Sequence, residues 1–250
     1  MTQSSTILSI AFFLAIVLCN LPLSLAFLTT NDALKNPFPT RTFSLYSLKP
    51  AAEPLLASGK ALARSGELLI DLTATSDMDM YGGGFSATGA NIRNAGDCIA
   101  QAAASCRFKT AMELVCDELR EAGTCLLENG NDHLRKAVDD ASVDDNVDLK
   151  NILEQMIPVM LTSGQALEDA GAGIMKKESV HDIGMKLVIC ADGLEQLAMQ
   201  IGKLNKSSIL QEGQDSKGRM MYAAEMMKLA GNNLMGLKPE PKKGKGWLKG

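Results

Sequence analysis

The sequence predicts an all-α protein, an antiparallel bundle of about six helices whose close-packed seams are rich in Gly, Ala and Ser. The first observation behind this is a recurring pattern, small-Gly-x-x-apolar-x-x-small-Gly-x-x-apolar. It stands complete at Ser58 to Leu69, Thr88 to Ile99 and Ser163 to Ile174. Looser copies run from Val115 to Leu126 with Cys116 in the first Gly slot, from Ile183 to Leu194 with Ala191 in the second, and from Ala223 to Leu234 with Ala224 in the first. The second observation is composition: 46% hydrophobic residues with only 4% aromatic, as tightly packed small-residue helices require.

Positions i, i+3, i+7 and i+10 fall on one stripe of a helix. The stripe is a shallow groove carrying Gly59, Gly66, Gly89, Gly96, Gly123, Gly164, Gly171, Gly184 and Gly231. A helix-interior glycine costs about 1 kcal/mol against alanine. Nine of them therefore forgo an amount comparable to the whole stability of a typical domain, about 5–15 kcal/mol. Close helix–helix approach offsets that loss. A groove holding a flat apolar ligand, a lipid or pigment, is the alternative, but such pockets add aromatics and convergent polar groups that the stripe lacks.

Taken in order, residues 1–26 read as a signal peptide: an apolar run from Ile7 to Cys19, Pro22, then Ser24-Leu25-Ala26 as a small-x-small cleavage site. Residues 27–49 hold six Ser/Thr, three basic residues and only Asp32 acidic, with Pro37 and Pro39 opposing helix. The first helix is expected from Pro50 or Pro54 to about Thr75, and Ser76 to Phe85, with Gly82-Gly83-Gly84, as a flexible loop. The second runs from about Ser86 to Cys106, and Thr110 to Glu113 has the spacing of a capping box for the third. Residues 50–128 form a first helical unit.

The acidic stretch 129–147 reads as a solvated linker, since Asp139, Asp140, Asp144, Asp145 and Asp148 lack the spacing of a calcium loop. A second unit, 148–237, begins with a fourth helix to about Lys177, kinked or restarted at Pro158. A capping sequence at Ser179 to Asp182 starts a fifth helix to Leu204, and a sixth covers about Lys217 to Met235. Two three-helix units packed together or a single six-helix bundle both fit. Residues 238–250, with five lysines against Glu240 and the only tryptophan, Trp247, are a basic tail.

The front end resembles the bipartite plastid presequence of diatoms and related algae. Leu25-Ala26-Phe27 matches the core of that signature, in which the signal sequence is cut just before a Phe and a hydroxyl-rich, acid-poor segment follows. The resemblance covers residues 1 to about 49. It implies import into the plastid stroma through the secretory route; a secreted protein is the alternative.

The chemistry expected of the chain is sparse. It has two histidines, His133 and His181, no His-Glu-x-x-His, no Cys-x-x-Cys and no phosphate-cradling loop, so catalytic, cofactor and metal sites are all expected to be absent. Net charge is −4; the tail contributes +4 and residues 1–50 contribute +2, leaving −10 for residues 51–237, which argues against a nucleic-acid surface. Cys98 and Cys125 take equivalent repeat positions. They read as small core residues or, alternatively, as a disulfide between the second and third helices.

Beyond residue 26 no stretch is apolar enough to span a membrane. The lysine tail with Trp247 offers peripheral contact with an anionic surface. On the last helix Tyr222, Met226 and Leu229 form a second apolar stripe beside the repeat, the face expected to dock another protein or a second copy. The function expected is that of a non-catalytic structural or protein-interaction protein. A carrier of an apolar ligand, or a secreted protein binding an anionic surface through its tail, are the alternatives.

Overall fold

Among the described residues, six long helices carry the six copies of the repeat, and one short helix carries none. The computed structural model describes residues 45–75, 82–108, 112–143, 147–204 and 211–237. The helices are α1 (Leu45–Thr75), α2 (Gly82–Phe108), α3 (Met112–Glu128), α4 (Leu134–Val143), α5 (Val147–Met175), α6 (Val180–Leu204) and α7 (Gln211–Met235), with a π-helical turn (Asn129–His133) joining α3 to α4. All lie in one unit, residues 41–250. Among the described residues there is no strand.

Each long helix packs on the one before it and the one after it, and α7 returns to α1, so the six close into a ring. Neighbours run antiparallel. Gly59 lies against Gly96 and Gly66 against Gly89; Gly123 lies against Gly164 and Gly171 against Cys116. Gly184 lies against Gly231, with Asp192 and Lys228 paired further along the same two helices. The apolar positions of the repeat, from Leu62 and Leu69 to Met227 and Leu234, are all buried, at 0–7% exposure. They fill the inside of the ring, and their burial is the main favourable term.

The copies therefore pair as first with second, third with fourth, and fifth with sixth. The described long helices form three antiparallel pairs, α1–α2, α3–α5 and α6–α7, which pack on one another as the six-helix bundle, one of the two arrangements the sequence allows.

Four local expectations are corrected. Pro50 and Pro54 lie inside α1, not at its start. Pro54 has no N–H for the carbonyl of Pro50, and the side-chain amide of Asn233 donates to that carbonyl instead at 3.0 Å. Gly82-Gly83-Gly84 opens α2 rather than ending a loop, and Gly84 meets the backbone of His133 across a gap too narrow for a Cβ. Pro158 sits within an unbroken α5.

The fourth correction concerns the acidic stretch, which is no solvated linker. Leu134, Ala137, Val138 and Ala141 recur at helical spacing and are buried, so α4 packs on α5 and α2 with its aspartates outward. The buried Asn129 donates its amide to the carbonyl of Thr88 at 3.1 Å.

The helix ends follow ordinary chemistry. The Ser179 hydroxyl accepts from the Asp182 amide at 3.1 Å and donates to the Asp182 carboxylate at 2.7 Å, capping α6. Helix α7 ends in a Schellman motif: Gly236 has φ +71°, and the Leu237 amide donates to the Asn232 carbonyl at 2.9 Å. Helix α5 ends the same way with Lys177 at φ +58°, where the Glu178 amide reaches the Gly173 carbonyl at 2.9 Å. Residues 1–44, Thr110, Asp144, Asp145 and residues 238–250, including Trp247, lie outside the described residues.

Candidate functional site

The repeat places two small residues side by side, and they face two different neighbours. In α1, Gly59 and Gly66 press on α2: a Cβ at Gly59 would stand 2.5 Å from the Ala100 nitrogen, and one at Gly66 would stand 2.5 Å from the Arg93 nitrogen. The preceding serines press on α7. The Ser58 hydroxyl donates to the Ala223 carbonyl at 2.8 Å. Ser65 and Ser216 exchange hydrogen bonds, each hydroxyl reaching the other's carbonyl, at 3.0 and 3.1 Å.

Helical geometry explains the arrangement. Adjacent positions point about 100° apart, close to the angle at which a helix in a six-membered ring sees its two neighbours, and the apolar residue four positions after the small one points between them. One five-residue phrase thus supplies a contact to each side and a side chain to the interior. In α5, Gly164 and Gly171 face α3, while the Ser163 hydroxyl fills the space a Cβ would need at Gly193 of α6. On α2 the carbonyl of Thr88, ahead of Gly89, takes the bond from Asn129.

All nine predicted seam glycines meet neighbouring backbone too closely for a side chain. Gly89 would bring a Cβ to 2.9 Å from the Gly66 carbonyl; Gly96 meets the Ala63 nitrogen and the Gly59 carbonyl. Gly123 and Gly164 contact each other's carbonyls, as do Gly184 and Gly231, and Gly171 contacts the carbonyl of Cys116. The notches are filled by the adjacent helix itself.

The five described cysteines are free thiols, so the Cys98–Cys125 bridge, the alternative to small core residues, is not formed. Gly84 against His133, and Asn129 against Thr88, fix the level of α2 against α3–α4. At that level Cys98 lies about six residues, or ~9 Å, from Cys125 along the axis. Adding the spacing between two helices exceeds the ~7 Å Cα limit for a disulfide. Burial pushes Cys98, Cys106 and Cys190 up to about 12 and Cys125 to about 11, and raises Cys116 too. At neutral pH none is a thiolate, the form that attacks or binds metal.

On α7, the repeat residues Ala224, Met227, Gly231 and Leu234 are buried. Tyr222 is 46% exposed, and Met226 and Leu229 are half-buried. Tyr222 borders a 410 Å³ hollow between α1 and α7 together with Arg64, Leu68, Asp215 and Arg219. His133 sits in the π-helical turn, and His181 is exposed at the start of α6, 3.9 Å from Asp182. Among the described residues no cluster of three His, Cys, Asp or Glu could hold a metal ion, and no helix is long and apolar enough to cross a membrane.

Sequence reasoning treated each small-Gly doublet as one stripe and so missed the second contact it makes, through Ser58, Ser65 and Ser163. It also missed Ser216, Asn129 and Asn233, single polar residues whose roles depend on which helix lies opposite. The outward face of α6, with Met185, Ile189 and Met199 at 44%, 48% and 50% exposure, was legible as a spacing and went unread. Comparison with protein-family models, curated proteins and solved structures finds no match.

Proposed function

We propose that the chain is a structural or protein-interaction protein of an algal plastid, acting without catalysis. The observation that carries the reading is the use of the glycines. Every predicted notch is filled by a neighbouring helix, so the costly repeat builds a rigid body instead of a ligand groove. The outer face of α7, with Tyr222 exposed beside Met226 and Leu229, is the surface this reading gives to a partner. Raised thiol pKa values fit an inert core. The compartment rests on the resemblance of residues 1 to about 49 to a plastid presequence.

Locating a tagged copy and sequencing the N-terminus of the accumulated protein tests the proposal. Plastid signal with a mature end near residues 45–52 is the expected result. A chain that begins at Phe27 and collects outside the cell overturns it. Changing Met226 and Leu229 to Glu is expected to abolish partner capture with the melting temperature nearly unchanged. Global unfolding of that variant would assign the face to the core.

A further inference from the structure

We propose that the outer face of α6 pairs with the same face of a second copy, antiparallel across a two-fold axis. Six positions make the face: Met185, Ile189, Asp192, Gln196, Met199 and Lys203, spaced alternately four and three apart, and all are exposed. At about 100° per residue they stay within a narrow strip opposite the inward side, where Leu187 and Leu194 are buried. Met185, Ile189 and Met199 are three of only nine large hydrophobic residues exposed among the described residues, so this one strip concentrates what the rest of the surface scatters. Two hollows of 540 and 370 Å³ flank Ile189 where α6 meets α5, and Thr162 and Ile189 border both. They are receptive to side chains entering from outside.

The occupant follows from the order of residues along the strip. Spacing of four and three is the seam of a two-stranded coiled coil. Laid antiparallel on itself, the strip sets Ile189 opposite Met199, Asp192 opposite Gln196, and Met185 opposite the stem of Lys203. No like charges stand directly opposite, and Asp192, already paired with Lys228 at 2.8 Å, faces an amide that can donate to its carboxylate as well. Laid parallel, Lys203 would face Lys203 and Asp192 would face Asp192, the latter pair partly offset by Lys228, so charge favours the antiparallel copy. A two-fold contact closes on itself and needs no other surface. The strip and its α5 border would bury on the order of 1,000 Å² in all, the low end of specific interfaces, so the pair should dissociate on dilution.

This interface is separate from the α7 face, and one set of measurements distinguishes them. Sedimentation velocity of the full chain and of residues 41–250 across a dilution series is expected to show a monomer–dimer equilibrium in both. Ile189→Glu with Met199→Glu should shift it to monomer by at least tenfold in dissociation constant with the melting temperature retained, while Met226→Glu with Leu229→Glu should leave it in place. Should the α6 variant unfold, cysteine pairing decides the matter. A chain carrying Ile189→Cys and Met199→Cys should crosslink to dimer under mild oxidation, and Ile189→Cys alone should not, against the wild-type thiols as control. Crosslinking by Ile189→Cys alone, or loss of the dimer only in the α7 variant, overturns the pairing. So does a monomer at every concentration. If Met185 and Met199 then resist oxidation, the face belongs to a terminal segment of the same chain.

Discussion

The α1–α2 pair and the α6–α7 pair use one device at different tolerances. In α1–α2 all four Gly slots hold glycine, and the atoms nearest an added Cβ at Gly59, Gly66 and Gly96 are all backbone. In α6–α7 the slots hold Gly184 and Gly231 but also Ala191 and Ala224. There the second-nearest atoms are side-chain carbons, Met235 Cγ at 2.8 Å from a Cβ at Gly184 and Val188 Cγ2 at 2.8 Å from one at Gly231. Side chains rotate away; opposing backbones must separate whole helices. In the first pair every close contact at these three glycines is backbone. In the second a backbone carbonyl still blocks each glycine, that of Gly231 at 2.6 Å and that of Gly184 at 2.5 Å, and only the remaining contacts can rotate away.

Gly96→Ala should break the comparison most visibly. Its Cβ meets the Ala63 nitrogen and the Gly59 carbonyl. Forcing α1 and α2 apart should cost about 3 kcal/mol net, despite alanine's better helix propensity, measured by denaturant unfolding. Gly231→Ala should cost somewhat less, about 2 kcal/mol by the same measurement, because Val188 can yield although the Gly184 carbonyl at 2.5 Å cannot. Equal losses at the two sites would mean that both seams are equally rigid.

Alkali probes the looser pair from within. Cys190, fully buried in α6, is pushed up from the ordinary 9.0 to about 12. Between those values the unfolded thiol has lost its proton and the folded one keeps it, so stability is complete below pH 9 and falls as pH rises. The loss is about 1 kcal/mol per pH unit from this group. In Cys190→Ala the slope of stability between pH 9 and 10 should flatten by that amount, whatever the stability at pH 7.

The smallest effect has the opposite sign. Gly218 in α7 has open space where a Cβ would sit, so Gly218→Ala should raise stability by up to about 1 kcal/mol. A gain there beside a large loss at Gly96 would separate the packing glycines from an incidental one. A loss at Gly218 would point to a contact this surface does not show.

The fold was legible because the repeat announces itself by period and the helix-capping residues by type. Which glycine meets which was not, because six similar copies can pair in several ways and only tertiary packing selects first with second. Glu128 to Asp148 misled through composition. Its aspartates drew the eye, while Leu134, Ala137, Val138 and Ala141 already carried helical spacing. The three glycines at 82–84 misled through propensity: Gly84 is needed for the approach of His133, and tertiary contact overrides its cost as a helix residue. The α7 face was visible as a second stripe, whereas its degree of exposure depends on where α1 lies.

The hydrogen bond from Asn233 to the carbonyl of Pro50 joins the last helix to the first, alongside the serine contacts that close the ring. Chain order is therefore nearly irrelevant to this architecture: α1 and α7 pack on each other more extensively than α2 on α3 or α5 on α6. The backbone could be opened between one pair and sewn together near residues 45 and 237 to give a rearranged polypeptide with the same contacts. A head-to-tail cyclic version would hold the two ends together even when unfolded, and the folded ring would gain from the entropy the open form no longer has to lose.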